Sequence, residues 1–224
     1  MIAGTNGLII ISLCDYTGIF TKPWQDAGYS VLNVDPQREG SGTILEMVPL
    51  IREAILSGDV AFVAGFPPCT DLAVSGAAHF ESKREKDKHF QSKAALVAEQ
   101  CRMIGEISGA PWFFENPVSV LSSIIGKPNF SFNPYEYGGY LAENDIHPTW
   151  PEYIAPRDAY PKKTCLWSGG GFEMPRVKPV PVPVGYSDQH KKLGGRSIKT
   201  KNIRSATPRG FSLAVFEKYG VKHD

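Results

Sequence analysis

The chain of 224 residues lacks several features that would assign it to a class at once. It has no apolar run of membrane-spanning length. Its first residues, "MIAGTNGLIIISLCDY", carry no basic leader and run into Asp15, so they read as a strand rather than a signal peptide. Cysteine is scarce: Cys14, Cys69, Cys101 and Cys165 are far apart with no C-x-x-C pair, which predicts free thiols and no zinc site. The spacing of His79, His89, His147, His190 and His223 suggests no metal ligation either. There is no internal repeat, and no G-x-G-x-x-G to mark a dinucleotide site.

Net charge is also small, at +1, but its distribution is uneven. Residues 1–161 carry a net −8 and residues 162–224 a net +9, so the last third suits an anionic partner such as nucleic acid or phosphate.

The first half alternates strand and helix signals. Gly7 to Leu13 is a continuous apolar, β-branched run, as in a strand buried on both faces. "TKPWQDAGY" reads as a short helix with Thr21 near its N-cap and Gly28 at its end. Strands follow over Ser30–Asp35 and Asp59–Gly65, separated by the helix "VPLIREAILSG", in which Pro49 suits a first turn. The charged run "ESKREKDK" leads into a helix from about Phe90 to Ile107, and "PWFFENP" predicts a fourth strand stopping at Glu115. Ten of the 18 prolines lie between Pro128 and Pro183, where "PRVKPVPVPVGY" reads as extended or polyproline-like. "TPRGFSLAVFEKYG" reads as a turn into a closing helix. Alternation of this kind predicts an α/β fold whose ligands sit at the carboxyl ends of the strands.

Asp15, Asp35, Cys69 and Glu115 all fall at or just past predicted strand ends, so residues distant in sequence meet at one edge. Asp35 lies 17 positions after Gly18, a separation that suits an acid accepting hydrogen bonds from ribose hydroxyls. A nucleoside cofactor without pyrophosphate fits this pattern better than a dinucleotide does.

These residues lie in motifs that resemble those of the DNA cytosine carbon-5 methyltransferases, closest to the compact members found in phage and prophage. "SLCDYTG" resembles the family's cofactor turn, "PPCTDLAVSG" its Pro-Cys motif and "FENP" its Glu-Asn motif. "KKTCLW" resembles its basic strand and "RSATPRGF" its final motif, and the order is the family's from about Ile9 to Tyr219. The resemblance implies a mostly parallel, Rossmann-like sheet of the S-adenosylmethionine-dependent methyltransferase type with a small irregular C-terminal lobe. Along the chain it implies a cofactor-binding core over 1–127 and a Pro-rich, basic, substrate-facing lobe over 128–206 with a core strand near 162–167. A helix over 207–224 would return to the core. It further implies a cytoplasmic enzyme of a bacterial or phage-infected cell that methylates DNA, with no membrane and no metal.

By that resemblance Cys69 is the nucleophile, Glu115 the acid or hydrogen-bond donor to the base, and Asn116 the residue that orients the loop. Asp15, Tyr16, Thr17, Gly18, Asp35, Pro67 and Thr207 would contact S-adenosylmethionine. Pro68, Thr70, Lys162, Lys163, Thr164 and Arg204 would face the substrate, and His79 could reach the same crevice. The chemistry explains the residue types. Carbon 5 of cytosine is a poor nucleophile, and a thiolate adding to carbon 6 makes the ring enamine-like. A free thiol, with a pKa near 8.5, is mostly protonated at neutral pH, so nearby positive charge helps it. The base must also leave its stack.

The chain departs from the family at three places. Tyr16 and Thr17 replace small positions, Thr164 stands where an arginine is usual, and only about 40 residues separate Trp167 from Thr207, too few for a separate recognition domain. Three other readings therefore stand beside DNA methylation: the same chemistry on free cytosine nucleotides, a catalytically inactive DNA-binding relative, and methylation of an exocyclic amine. For the last, Phe66-Pro67-Pro68-Cys69 offers neither the polar acceptor nor the stacking aromatic in the right place.

Overall fold

A computed structural model describes residues 7–182, 193 and 197–220. The chain divides into two compact units, and both are discontinuous in sequence. The first takes the N-terminal residues through Tyr16, then Gly28–Ser131 and Thr164–Phe172. The second takes Thr17–Ala27, Phe132–Lys163 and the chain from Glu173 onward. The terminal helix thus groups with the second unit, as does the short helix after the first strand.

The first unit is an α/β layer structure around a mixed, mostly parallel sheet of six strands. These are β1 (Ile9–Leu13), β2 (Ser30–Val34), β3 (Val60–Gly65), β4 (Trp112–Pro117), β5 (Phe130–Phe132) and β6 (Thr164–Gly169). Their order across the sheet is β2-β1-β3-β4-β6-β5. Parallel ladders join β1 to β2, β1 to β3 and β3 to β4, while β4 and β6 run antiparallel. β1 lies inside the sheet between β2 and β3, and all five of its residues are buried, which accounts for its unbroken apolar run.

Two helices cover this sheet. α2 (Val48–Ser57) begins with Pro49 in its first turn and ends at Gly58, whose φ of 78° is left-handed. α4 (Phe90–Ser108) packs on β3, β4 and β6. It approaches Trp112 so closely at Gly105 that an added Cβ would lie 2.4 Å from the indole Cγ. Between them run a 3₁₀ turn over Val74–His79 and the short helix α3 (Phe80–Lys86). A further turn of helix, α5, spans Leu121–Ile124. Phe114 and Trp167 face each other across β4 and β6 and stack at 5.1 Å.

β4 does not stop at Glu115 as expected. Its parallel ladder with β3 ends at the Gly65–Phe114 pair, but the antiparallel partner β6 carries the ladder on to Pro117, opposite Thr164. Glu115 therefore lies inside the strand, opposite Leu166. The strand predicted near 162–167 begins two residues later, so Lys162 and Lys163 precede it.

The second unit is less irregular than its proline content predicts. Its α7 (Arg209–Tyr219) packs on a 3₁₀ segment over Pro134–Tyr140, where Phe132 stacks on Phe211 at 4.2 Å. The Pro-rich stretch is stitched to that segment by backbone bonds from Lys178 to Glu136, Val180 to Tyr135 and Gly139 to Lys178. Residues 183–186 of that stretch, together with His190 and His223, lie outside the described residues. α1 (Lys22–Asp26) sets Trp24 edge-on to Phe216 at 5.1 Å. Thr21 precedes α1 but its hydroxyl donates to Gly18 O rather than capping the helix. A second apolar cluster gathers Ile154, Tyr160, Leu193, Ile203 and Ala206, the last two from α6 (Ile198–Ser205) and its end. Among the described residues no helix is long and apolar enough to cross a membrane.

Candidate functional site

The chain leaves β1 for β2 on one side and returns to β3 on the other, which puts a topological switch point at the carboxyl ends of β1 and β3. Cys14 turns the chain off β1 in the left-handed region, with φ at 57°, while its N–H donates to Val34 O at 2.6 Å. The next residue, Asp15, is buried, and its carboxylate accepts the hydroxyl of Ser12, itself wholly buried in β1, at 2.8 Å. Tyr16 is exposed, and its carbonyl accepts Arg38 Nη1 at 2.8 Å.

Asp35 follows β2 at the same level, since Val34 is paired with Leu13. It is buried, and its Oδ1 accepts the Gln37 N–H at 2.8 Å. Burial raises its pKa, and the Gln37 N–H and the Arg38 charge only partly offset that. Its own N–H donates to Ser41 Oγ, which in turn donates to Asn33 O. Arg38 thus links the turn after β2 to the turn after β1.

β3 contributes the thiol. Phe66 N–H makes the last bond to β1, at Leu13 O, and Pro67, Pro68 and Cys69 follow. Pro67 is buried, Pro68 and Thr70 are exposed, and Cys69 is half-buried. Beyond it the chain coils back, with Leu72 N–H and Ala73 N–H both donating to Cys69 O.

β4 brings up the carboxylate. Glu115 is half-buried, and Asn116 beside it is buried and donates from Nδ2 to Pro67 O at 3.0 Å. The segments that follow are zipped together by Val74 N–H to Val118 O, Val120 N–H to Leu72 O and a bridge between Ala73 and Ser119. The Pro-Cys turn and the Glu-Asn-Pro strand end, about fifty residues apart in the chain, are therefore fastened at three levels.

Of the residues singled out in the sequence, Asp15, Tyr16, Asp35, Pro67, Pro68, Cys69, Thr70, Glu115 and Asn116 share this carboxyl edge. Thr164 starts β6 at the same edge, buried opposite Pro117. The second unit holds the rest. There Thr17 Oγ1 accepts Ile19 N–H, Gly18 takes a left-handed φ of 65°, and Thr207 is buried ahead of α7. Lys162 donates to Arg204 O at 2.8 Å and Arg204 donates to Leu193 O at 2.6 Å, while Lys163 is exposed. Two residues were missed. Ser12 carried a signal in its spacing of three from Asp15, whereas Arg38 carried none.

Among the described residues no cluster of three or more His, Cys, Asp or Glu side chains is arranged to hold a metal ion. Comparison with known proteins finds no matching family model, and no curated protein matches the chain.

Proposed function

We propose that the chain transfers a methyl group from S-adenosylmethionine to carbon 5 of cytosine in DNA, through a covalent adduct at Cys69. The observation that carries this reading is the Asn116 to Pro67 bond, which ties the thiol-bearing turn to the strand that bears Glu115. A thiol just past the end of β3 and a carboxylate near the end of neighbouring β4 suit addition to a ring and protonation of that ring.

The acidic edge also fits the cofactor. A sulfonium amino acid joined to a nucleoside presents positive charge and ribose hydroxyls. Asp15 and Asp35 are buried carboxylates at the ends of adjacent strands, in a turn without a pyrophosphate cradle. Asp35 would accept the ribose hydroxyls, and Asp15 would hold the turn through Ser12. When bound, the cofactor supplies an electrophilic methyl group to the activated carbon 5.

The chain's own residues do the rest. The Cys69 thiolate forms a bond to carbon 6 while Glu115 donates a proton or hydrogen bond to ring nitrogen 3, which makes carbon 5 electron-rich. After methylation the proton on carbon 5 is lost to a base, the sulfur–carbon 6 bond breaks, and Cys69 leaves as thiolate. Positioned acid–base groups of this kind contribute about 10²–10⁴-fold.

The same chemistry on free cytosine nucleotides is supported by a separate observation. Lys162 and Arg204, two cations suited to a phosphate backbone, are bonded to backbone carbonyls of their own unit. The experiment is trapping with 5-fluorocytosine, whose fluorine blocks loss of the final substituent. Incubation with S-adenosylmethionine and 5-fluorocytosine DNA should give a denaturation-resistant adduct that Cys69→Ser abolishes. An adduct only with the fluorinated nucleotide would select the second reading, and none with either would refute both.

A further inference from the structure

The charged run between the Cys69 turn and α4 contains three ion pairs. Two close within or beside their own helices: Arg84 with Glu81 at 2.8 Å, and Lys93 with Asp87 at 2.6 Å. The third reaches back. Lys83, on α3, donates to the carboxylate of Asp71 at 2.5 Å and to the carbonyl of Thr70 at 2.9 Å. Those residues follow Cys69 directly, in the stretch that coils back on Cys69 O.

Its position is braced on the far side, where Lys83 lies over the Phe90 ring at 5.9 Å and Phe80 meets that ring edge-on at 5.8 Å. The Lys83 side chain is 29% exposed and that of Asp71 38%, so the pair is solvated enough to respond to salt yet close enough to act on its neighbours. Other ionisable groups on elements next to this turn in the chain or the sheet include Glu115 on β4 and exposed His79 at the end of the 3₁₀ turn.

We propose that the Lys83–Asp71 pair sets the charge at the Cys69 turn and so the reactivity of the thiol, with Lys83 as a positioning residue. The inference rests on the reading of Cys69 as nucleophile. Lys83 favours the thiolate, Asp71 opposes it, and each cancels most of the other. Removing either member leaves its partner uncompensated at the turn that carries Cys69, so the two removals act in opposite directions. A purely structural clamp has no such signature, since losing either end loosens the turn alike.

The test is alkylation of Cys69 by iodoacetamide in the full chain, without DNA or cofactor, read by peptide mass at about pH 7.5. At low salt Lys83→Met should slow the reaction about two- to fivefold and Asp71→Asn should speed it by a similar factor, the scale of a solvated pair at short range. The double variant should return close to the parent rate, Lys83→Arg should keep it, and about 0.5 M salt should shrink all the differences. Single variants that shift the same way, a double variant that does not recover, or effects indifferent to salt would overturn the proposal. Because alkylation needs no methyl transfer, failure of the 5-fluorocytosine adduct would leave this result standing.

Discussion

Two buried groups in the second unit should make its stability respond to pH in opposite senses. His147 is 2% exposed, its Nδ1 accepts the N–H groups of Thr149 and Trp150, and its ring stacks on Trp150. Burial, reinforced by Arg209 and resisted by Asp145, lowers its pKa from 6.5 to about 4. Asp158 is 1% exposed and accepts Gly210 N–H at the start of α7. Burial raises its pKa from 3.8 to about 6, with Asp145 adding to the rise and the Gly210 N–H and Arg209 opposing it. Asp145 itself is pushed up by burial but held below its usual value by Arg209, at 2.8 and 2.5 Å, and by Arg157 N–H.

Each group contributes with its own sign. The folded pKa of His147 is depressed, so its contribution is complete above 6.5 and lost as pH falls through about 4. The folded pKa of Asp158 is raised, so its contribution is complete below 3.8 and lost as pH rises through about 6. At 1.36 kcal/mol per unit, each shift amounts to roughly 3 kcal/mol. Between pH 4 and 6 the two slopes cancel, and Asp145 enters only below that range.

Asn at 158 keeps an acceptor for Gly210 N–H without the buried charge. Asp158→Asn should therefore be more stable than the parent at pH 7 by up to about 3 kcal/mol, an advantage that disappears as pH approaches 4. His147→Asn should show the reverse slope, gaining stability as pH falls from 6 to 4. Urea unfolding of both variants and the parent at constant ionic strength, at half-unit steps from pH 4 to 7, reads both slopes. Three parallel curves would refute the reasoning.

Gly65→Ala should cost about 1–3 kcal/mol by urea unfolding, because the new Cβ would sit 2.8 Å from Cys101 Cβ and 2.9 Å from Phe114 Cβ, atoms rooted in α4 and β4. A neutral substitution would mean that α4 can retreat from the sheet. Asn116→Ala leaves Pro67 O without its buried donor and should cost about 1–3 kcal/mol. It should also slow the 5-fluorocytosine adduct at least tenfold at saturating substrate, and an unchanged adduct rate would remove Asn116 from the machinery.

The first unit was legible because its signals are local. Ile9 to Leu13 is an unbroken β-branched run, and Gly58 and Gly109 end α2 and α4 in the left-handed conformation. The spacing of acids and thiol past the strands likewise marked Asp15, Asp35 and Cys69. What failed locally was set by partners distant in the chain. The extra length of β4 comes from β6, some fifty residues later, and no pattern in "PWFFENP" announces it. The second unit depends on pairs such as Phe132 with Phe211 and Trp24 with Phe216. Trp24, Phe211 and Phe216 lie in helices that the sequence announced, but no local pattern says that they pack on each other or on Phe132, and the prolines between dominated the reading. Lys83 lay in a charged run whose solvated face and whose one inward contact look alike in sequence.

The two prolines ahead of Cys69 can now be understood from backbone donors. Phe66 N–H is the final rung to β1, and the N–H groups of Leu72 and Ala73 both go to Cys69 O. Residues 67 and 68 thus fall where the ladder has ended and a missing N–H costs no rung. Proline there fixes φ without removing a bond, and the carbonyl of Pro67 remains available to Asn116. The stiffness around the thiol is therefore carried by the backbone of the turn. The proposed nucleophile needs such a turn, since its sulfur would form and release a covalent bond without disturbing the backbone that aims it.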